Sequence, residues 1–569
     1  MGTLLLPNLL VLLAGGLLGI AAHLIIFIRG EWHVQAPKLA VGHALVFLCV
    51  ALCRSFLRDS LRLYPLLDGL MLASLIYLAG LLTSISIYRI SVFHRLTAAG
   101  FPGPFGARVS KLWHVWACRY SKNHELLDRL HQEYGDFVRT GPSEITIYLP
   151  EVFMAIDGPH SECIKSEWYD ILHPNMALVT TRDKATHAAR RRQWNRGFSS
   201  RALKLHEAKI LRHVDRLDRR IKIDVDQGKP SNAKNLMYWF GFDAMGDFVF
   251  NYHFGMLETT TWHHFLVRSY RAVDLLGPFG PVPWLVHIAF KLLPRVNKLR
   301  DWYEMTSWCR QIMDQRLKND ALQKELDLTH YLMMQDPKQG KVAAGEEVYA
   351  TARKHNRFWI HGDSLLVMVA GSGPIATALT FLLGELAQNP RHIDKLYEEL
   401  RGVDTTDLDA LSKLPHLDAC LVETLRLWPG LLTGGARKTG KNGAWVAGRF
   451  IPPETTIVAP QYVIARREDC FIRARKFIPE RWTSSPELVL NAGASTPFGT
   501  GASSCVGRVL ANDVVKCTAA RLVRKYNFSL APGEDARGVS SEVRDTFLPR
   551  PGDLNLCFKL RGEEKADTI

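Results

Sequence analysis

A cysteine stands where a glycine-rich run meets a helix: Phe498-Gly-Thr-Gly501-Ala-Ser-Ser-Cys505-Val-Gly507 leads into Arg508–Lys516, whose apolar residues recur at helical spacing. The unpaired N–H groups and positive dipole end of a helix start favour negative charge. The Cys505 thiol is therefore expected to ionise more readily than an ordinary one and to bind metal as the thiolate. Gly501 and Gly507 carry no Cβ, so the backbone can turn tightly and let a flat group come close, and Phe498 can pack beneath it. A lone cysteine in such a turn is more often an inert packed thiol. Four fixed positions shift that balance, because average residue frequencies would repeat Phe498, Gly501, Cys505 and Gly507 by chance on the order of once in several hundred chains of this length.

At 569 residues and 47% hydrophobic, the chain is too long for a typical single core and too apolar to be disordered, which points to one large domain with an appendage or to two domains. Its net charge of +15 suits an anionic membrane, an acidic protein or a nucleic acid without choosing among them. Its 10 cysteines are widely spread with no Cys-x-x-Cys pair or zinc-like cluster in the sequence, so reduced thiols facing the cytosol are the default.

The appendage lies at the N-terminal end. Thr3 to Ile28 is apolar apart from Asn8 and His23 and is long enough to cross a bilayer, with no small-residue cleavage site before Arg29, which favours a retained anchor. Leu39–Cys53 is short for a span, whereas Gly69–Tyr88 is long enough. Two or three crossings are expected, and the basic residues flanking these stretches (Arg54, Arg58, Arg62, Arg89 and Arg95) give conflicting orientations. The prolines of Phe101-Pro-Gly-Pro-Phe-Gly106 close this region, dividing the chain into a membrane anchor, 1–100, and a catalytic domain, 101–569. Beyond that boundary a helix is expected over His124–Tyr134 and a hairpin over Phe137–Tyr148. Further helices are expected over Ala202–Asp226, Trp302–Lys318, Gly362–Gln388, Arg391–Arg401 and Leu414–Trp428, and a surface loop over Asp336–Gly345. The chain has neither a phosphate-binding glycine loop ending in Lys-Ser/Thr nor a Gly-x-Ser-x-Gly elbow.

Around Cys505 the chain resembles the cytochrome P450 family, whose loop reads Phe-x-x-Gly-x-Arg-x-Cys-x-Gly and whose cysteine thiolate ligates haem iron. The resemblance implies a mainly helical fold with a small β region behind the N-terminal transmembrane helices, a haem b cofactor, and Cys505 as its metal ligand. Phe498, Gly501 and Gly507 would complete the loop. Ser503 stands where the family's arginine would meet a haem propionate. By the same resemblance, Glu423-Thr-Leu-Arg426 and Arg481 of Pro479-Glu-Arg-Trp482 form a buried network behind the haem. Arg437, His187 and Arg191 would meet the propionates, while Arg190, Arg192 and Arg196 are left as surface residues able to face an acidic reductase.

One stretch departs from the family. Val369–Thr377 aligns with the distal-helix pattern Ala/Gly-Gly-x-Asp/Glu-Thr-Thr, but Gly373 replaces the acid and Pro374 the alcohol that relay protons. Proline inside a helix removes one N–H and frees the carbonyl of Ala370, so a kink is expected. Ser372 and Thr377 are the candidate catalytic replacements, beside ordered water at the kink or a substrate hydroxyl. The activity implied is insertion of oxygen from O2 into a lipophilic small molecule, of the kind made in fungal secondary metabolism. Electrons would come from NADPH through a cytochrome P450 reductase, at the endoplasmic reticulum with the catalytic domain facing the cytosol, and no nucleic acid is expected as a partner. The rivals are a haem-thiolate isomerase, dehydratase or oxidative cyclase, and a non-catalytic haem sensor. Apolar and aromatic segments at 162–180, 237–293 and 541–547 are expected to line the substrate pocket.

Overall fold

A computed structural model describes residues 2–56, 63–173, 175–319, 326–333, 357–535 and 537–562; the loop expected at Asp336–Gly345, and Arg58 and Arg62, lie outside them. The chain opens with three helices. The first, α1 (Gly2–Ala21), continues as a π-turn over Ala22–Phe27, and α2 (Ala36–Phe56) and α3 (Leu63–Ile90) follow. By length and composition, windows at Ala36–Cys53 and Leu67–Ala98 could each cross a membrane. The second stretch is thus longer than its apolar run implied, because polar residues at both ends belong to the same helix. α1 and α3 meet through glycines: a Cβ on Gly15 would lie 2.6 Å from the Ala73 carbonyl oxygen, and one on Gly19 only 2.1 Å from that of Tyr77. Such close backbone approach is how helices associate in lipid, where hydrophobic burial supplies no drive.

The rest is helical, with small sheets at its edges. In chain order come α4 (Asn123–Tyr134), α5 (Glu151–Asp157), α6 (Lys184–Gly197), α7 (Ser200–Asp226), α8 (Ala233–Phe250), α9 (Pro283–Leu292) and α10 (Asn297–Lys318). They are followed by α11 (Arg357–Gln388), α12 (Pro390–Glu399), α13 (Pro415–Leu427) and α14 (Arg508–Lys525). The centre is α8 laid along α11. Nearly every residue of α8 is buried, as befits a helix apolar on all sides. Part of the 237–293 segment is therefore core and not pocket wall. The window Trp359–Gln388 of α11 is also long and apolar enough for a membrane span, yet 72% of it is buried inside the protein, which makes it a central helix of the folded body.

The principal sheet places β1 (Phe137–Gly141), β2 (Glu144–Ile147), β5 (Thr456–Val458), β4 (Arg437–Lys438) and β3 (Ile164–Lys165) side by side in that order. The expected hairpin is β1–β2, antiparallel with an irregularity between Arg139 and Gly141. At the far edge β3 runs antiparallel to β4 with Lys165 directly opposite Arg437, a register that bears on the site.

Candidate active site

The loop before α14 turns at two glycines. Gly499 and Gly501 sit at φ +69° and +62°, where a side chain is strained. A Cβ on Gly501 would also lie 1.8 Å from the carbonyl oxygen of Asp157. Gly501 is thus required both by the turn and by the packing of the loop on the end of α5. The Cys505 N–H donates to the Phe498 carbonyl at 2.8 Å, closing the loop so that Phe498 and Cys505 are held together. Cys505 is accessible, whereas Cys118, Cys163, Cys309, Cys420, Cys470 and Cys517 are buried. Its thiol nevertheless sits in a recess ringed by protein. Desolvation there pushes it above its ordinary pKa, against the opposing pull of the Gly507 N–H, Arg191 and Arg508. In the protein by itself burial thus opposes ionisation of the sulfur, and a cation bound there would favour the thiolate.

Beside the loop four basic groups converge. The Arg191 Nη1 donates to the Ser504 carbonyl at 2.5 Å, pinning α6 to the residue before Cys505. Lys165 and Arg437, both about 7% exposed, face each other across the strand pair. Like charges directly opposite are unfavourable. Among the described residues only Arg437 pairs with a carboxylate, its Nε donating to Asp157 at 2.7 Å and its Nη1 to the Tyr169 hydroxyl at 2.9 Å, while Lys165 Nζ donates to the Leu178 carbonyl at 3.3 Å. Burial first, then Arg437, lowers Lys165 to about 7. His187 is lowered to about 4 by burial, with Lys165, Arg191 and Arg437 adding to the effect. Lys165 escaped the sequence reading because a single lysine on a two-residue strand gives no local signal; only the register reveals it.

Arg190, expected at the surface, is buried. Its guanidinium pairs with the fully buried Asp363 of α11 through Nε at 2.9 Å and Nη2 at 2.5 Å. One turn of α6 therefore sends Arg190 into the core and Arg191 to the cysteine loop. Arg192 remains exposed.

Behind the loop, Glu423, Arg426 and Arg481 are almost entirely buried. Glu423 accepts two bonds from Arg426 at 2.8 Å each, one from Arg481 at 2.9 Å, one from Trp482 Nε1 at 2.9 Å and one from the Ile478 N–H at 3.0 Å. The arginines spend their remaining donors on carbonyls, among them those of Ala465 and Ala474 for Arg426 and of Ile472 and Leu488 for Arg481. Every carboxylate lone-pair direction is engaged, the condition under which a buried ionic cluster is tolerated.

A family profile described as Cytochrome P450 matches residues 102–558. The chain belongs to the cytochrome P450 family. A cytochrome P450 monooxygenase, FCK2, from Fusarium pseudograminearum is 34% identical over 96% of each chain, and a tryprostatin B 6-hydroxylase from Neosartorya fischeri is 32% identical over 92% of this chain and 93% of its own. These P450 relatives place the chain among the monooxygenases. A solved structure, the haem domain of cytochrome P450DA, superposes with a TM-score of 0.62 at 18% identity, covering 78% of this chain and 94% of that one, which shows the P450 fold.

The residues present fit the haem that the P450 family implies. An accessible sulfur is flanked by a glycine-turned loop, and the buried like charges Lys165 and Arg437 call for an anion beside them. On the distal side α11 runs unbroken through Pro374, so the expected kink does not interrupt it. Val369, Gly371 and Pro374 are partly exposed and Ala370 is exposed, in a helix otherwise largely buried from Ile360 to Leu386. Ser372 lies two residues, about 200°, round from Ala370. It is fully buried, with its carbonyl oxygen 2.9 Å from where a Cβ on Gly241 of α8 would stand. Thr377 donates to the Pro549 carbonyl at 3.1 Å and shares a 3.0 Å bond with the Tyr238 hydroxyl. Thr377 thus ties α11 to α8 and to Pro549, whereas the Ser372 hydroxyl is buried with no hydrogen-bond partner among the described residues. The three expected pocket segments do meet. Trp168 stacks on Phe547 at 4.5 Å, and its Nε1 is 3.3 Å from where a Cβ on Gly280 would stand. Phe547 holds φ +77°, a strained backbone under an aromatic side chain.

Proposed function

We propose that this P450 hydroxylates a lipophilic secondary metabolite, with haem b ligated through Cys505. The supporting observation is the accessible Cys505 on a rigid loop beside the Lys165–Arg437 pair. Cys505 would hold the iron, while Lys165, Arg437, His187 and Arg191 would hold the propionates, Lys165 supplying the positive charge that Ser503 cannot. Bound in this way, haem supplies the redox chemistry that activates dioxygen. Phe498, Gly501 and Gly507 fix the loop, and the Glu423 cluster keeps the wall behind it rigid.

Substrate entry and orientation fall to Trp168 and Phe547, whose stacked rings suit a flat apolar molecule. Proton delivery does not suit Thr377, whose hydroxyl is engaged by Tyr238 and Pro549 and acts as a positioning group, whereas the buried, unpartnered Ser372 hydroxyl is left able to hold a water. Pro374 has no N–H to give the Ala370 carbonyl, so that oxygen can accept from a water, and the exposed turn of α11 there is where protons would be passed. Restoring the family pair by Gly373→Asp with Pro374→Thr tests this: a marked change in the coupling of NADPH use to product supports the water route, and unchanged coupling defeats it.

Electrons would come from NADPH through a reductase docking on the basic surface near Arg192 and Arg508, with the anchor in the endoplasmic reticulum and the domain facing the cytosol. The hydroxylase name of the Neosartorya relative favours oxygen insertion over the isomerase, dehydratase or cyclase reading and over a sensor role. The reduced carbon monoxide complex of wild type should show the red-shifted thiolate band, and Cys505→Ala should lose it together with O2-dependent turnover. A Cys505→Ala protein with an unchanged spectrum and rate would overturn the assignment.

A further inference from the structure

Away from the haem loop, on the flank of the Glu423 helix, two histidines and a cysteine share a single nitrogen. His416 and Cys420 stand one turn apart on α13, and His392 comes from α12 across the interface. The Nε2 of His416 is 3.3 Å from His392 Nδ1 and 3.8 Å from Cys420 Sγ, and the three candidate ligand atoms all lie within 4.8 Å of one another. His392 and Cys420 are fully buried and His416 is partly exposed.

Hydrogen bonding alone does not satisfy this group. One imidazole nitrogen has either one proton or one lone pair. Whichever His416 Nε2 carries, it can make a single good bond, and either His392 or Cys420 goes without. His392 has a second difficulty, since its Nε2 is buried with no hydrogen-bond partner. A neutral His392 therefore leaves a bare lone pair or an unused N–H in the core, which is unfavourable by the full desolvation of that atom.

We propose that His392 Nδ1, His416 Nε2 and Cys420 Sγ form a three-ligand site for a divalent cation of the zinc class. Metal–nitrogen bonds of about 2.0–2.1 Å and a metal–sulfur bond of about 2.3 Å place tetrahedral ligand atoms at N···N of about 3.3 Å and N···S of about 3.6 Å, close to the observed spacings. A cation at this point meets all three atoms at once. It also fixes the proton of His392 on Nε2, which lies 3.9 Å from Glu480 Oε2, itself a buried oxygen that accepts no hydrogen bond among the described residues. A carboxylate behind a ligating histidine is the usual outer support of such a metal. Glu399 adds negative charge from the other side, its two oxygens accepting from the His416 and Leu417 N–H groups at 2.6 and 2.9 Å. The cations nearby, Lys395 at 2.8 Å and Arg391 at 3.9 Å, lie on Glu480. Three protein ligands leave the fourth position to water on the exposed side of His416. Because Cys420 precedes Glu423 by one turn of α13, the metal would tie α12 to the helix that carries the buried ion cluster.

The test uses full-length, haem-loaded protein, expressed with zinc in the medium and purified without a metal-affinity column. Elemental analysis should give about one zinc per chain, and absorption at the zinc edge should show one sulfur neighbour near 2.3 Å with nitrogens near 2.0–2.1 Å. His416→Phe, at a partly exposed position, should lower zinc retention at least tenfold with the haem-to-protein ratio unchanged. Zinc below about one tenth per chain, a zinc spectrum without sulfur, or zinc retained in a His416→Phe/Cys420→Ser double variant would each overturn the proposal. If the variants fail to fold, the stoichiometry and the spectrum of wild type decide it alone.

Discussion

Lys165 shows how one side chain can carry a charge argument that sequence motifs miss. Buried opposite Arg437, it is lowered to about 7, so above neutral pH it is largely uncharged unless an anion joins it. A carboxylate bound beside it raises its pKa again, and binding then takes up a proton between pH about 7 and that raised value. Below that value the lysine is charged in both states and contributes no slope. Haem affinity should therefore fall as pH climbs above 7, and Lys165→Met should flatten that part of the profile; both are measurable from haem loss to an apoprotein acceptor at a series of pH values. A slope unchanged in Lys165→Met would remove Lys165 from the propionate site. Glu423 offers the opposite case, a carboxylate held below its usual range by Arg426 and Arg481 despite burial. Glu423→Gln leaves two buried guanidinium groups without a counter-charge, and a loss of about 3–5 kcal/mol is expected, read as a shift in the denaturation midpoint and in the yield of haem-loaded protein.

Among the secondary-structure elements, the anchor pair α1–α3 gives the sharpest contrast. A Cβ on Gly16 would meet only the Ile76 side chain, at 3.4 Å, whereas one on Gly19 would meet the Tyr77 carbonyl oxygen at 2.1 Å. Gly16→Ala should leave the melting temperature in detergent almost unchanged, and Gly19→Ala should lower it by several degrees. Equal effects would show that the two helices do not pack through this face. The helices of the soluble domain were legible from the sequence wherever apolar spacing was strong: Ala202–Asp226 was expected and Ser200–Asp226 observed, as was Leu414–Trp428 against Pro415–Leu427. What escaped was α8, whose aromatic residues looked like pocket lining. A helix buried on all sides has no polar face, so its periodicity vanishes. The same limit explains Arg190: spacing put it in a basic run, and only the position of Asp363, 173 residues away, sends it inward. The loop and its partners Glu423, Arg426 and Arg481 were readable because their chemistry is concentrated in short motifs. The Lys165–Arg437 and His392–His416–Cys420 groupings are products of tertiary register.

For the molecule as a whole, ion pairs join the stretch between the first two helices to the rest of the chain. Glu31, in the strap between α1 and α2, accepts from Arg182 at 2.6 and 2.8 Å and from Lys438 at 2.8 Å, while His33 meets Asp170 at 2.8 Å. Asp170 lies on the segment that carries Trp168, Arg182 follows that segment, Lys438 stands on the strand paired with β3 just before it, and α2 packs against α9, so the strap clasps the domain beside the expected substrate entrance. Glu31→Ala should let the domain swing relative to the bilayer, measurable as a broader distribution of haem tilt in oriented membranes; an unchanged distribution would show the clasp to be incidental.

The end of the anchor is fastened as well. Arg139, fully buried in the first strand of the sheet, donates to the Arg89 carbonyl at 3.0 Å and the Thr97 hydroxyl at 2.7 Å. A polypeptide begun at Phe101, the natural place to cut for a soluble enzyme, would strip that guanidinium of these two acceptors, leaving it the Gly141 and Pro142 carbonyls, and deprive Lys438 and Arg182 of Glu31. The first hundred residues are therefore less a tether than a missing wall of the folded body, and a borrowed leader from another protein would not replace them.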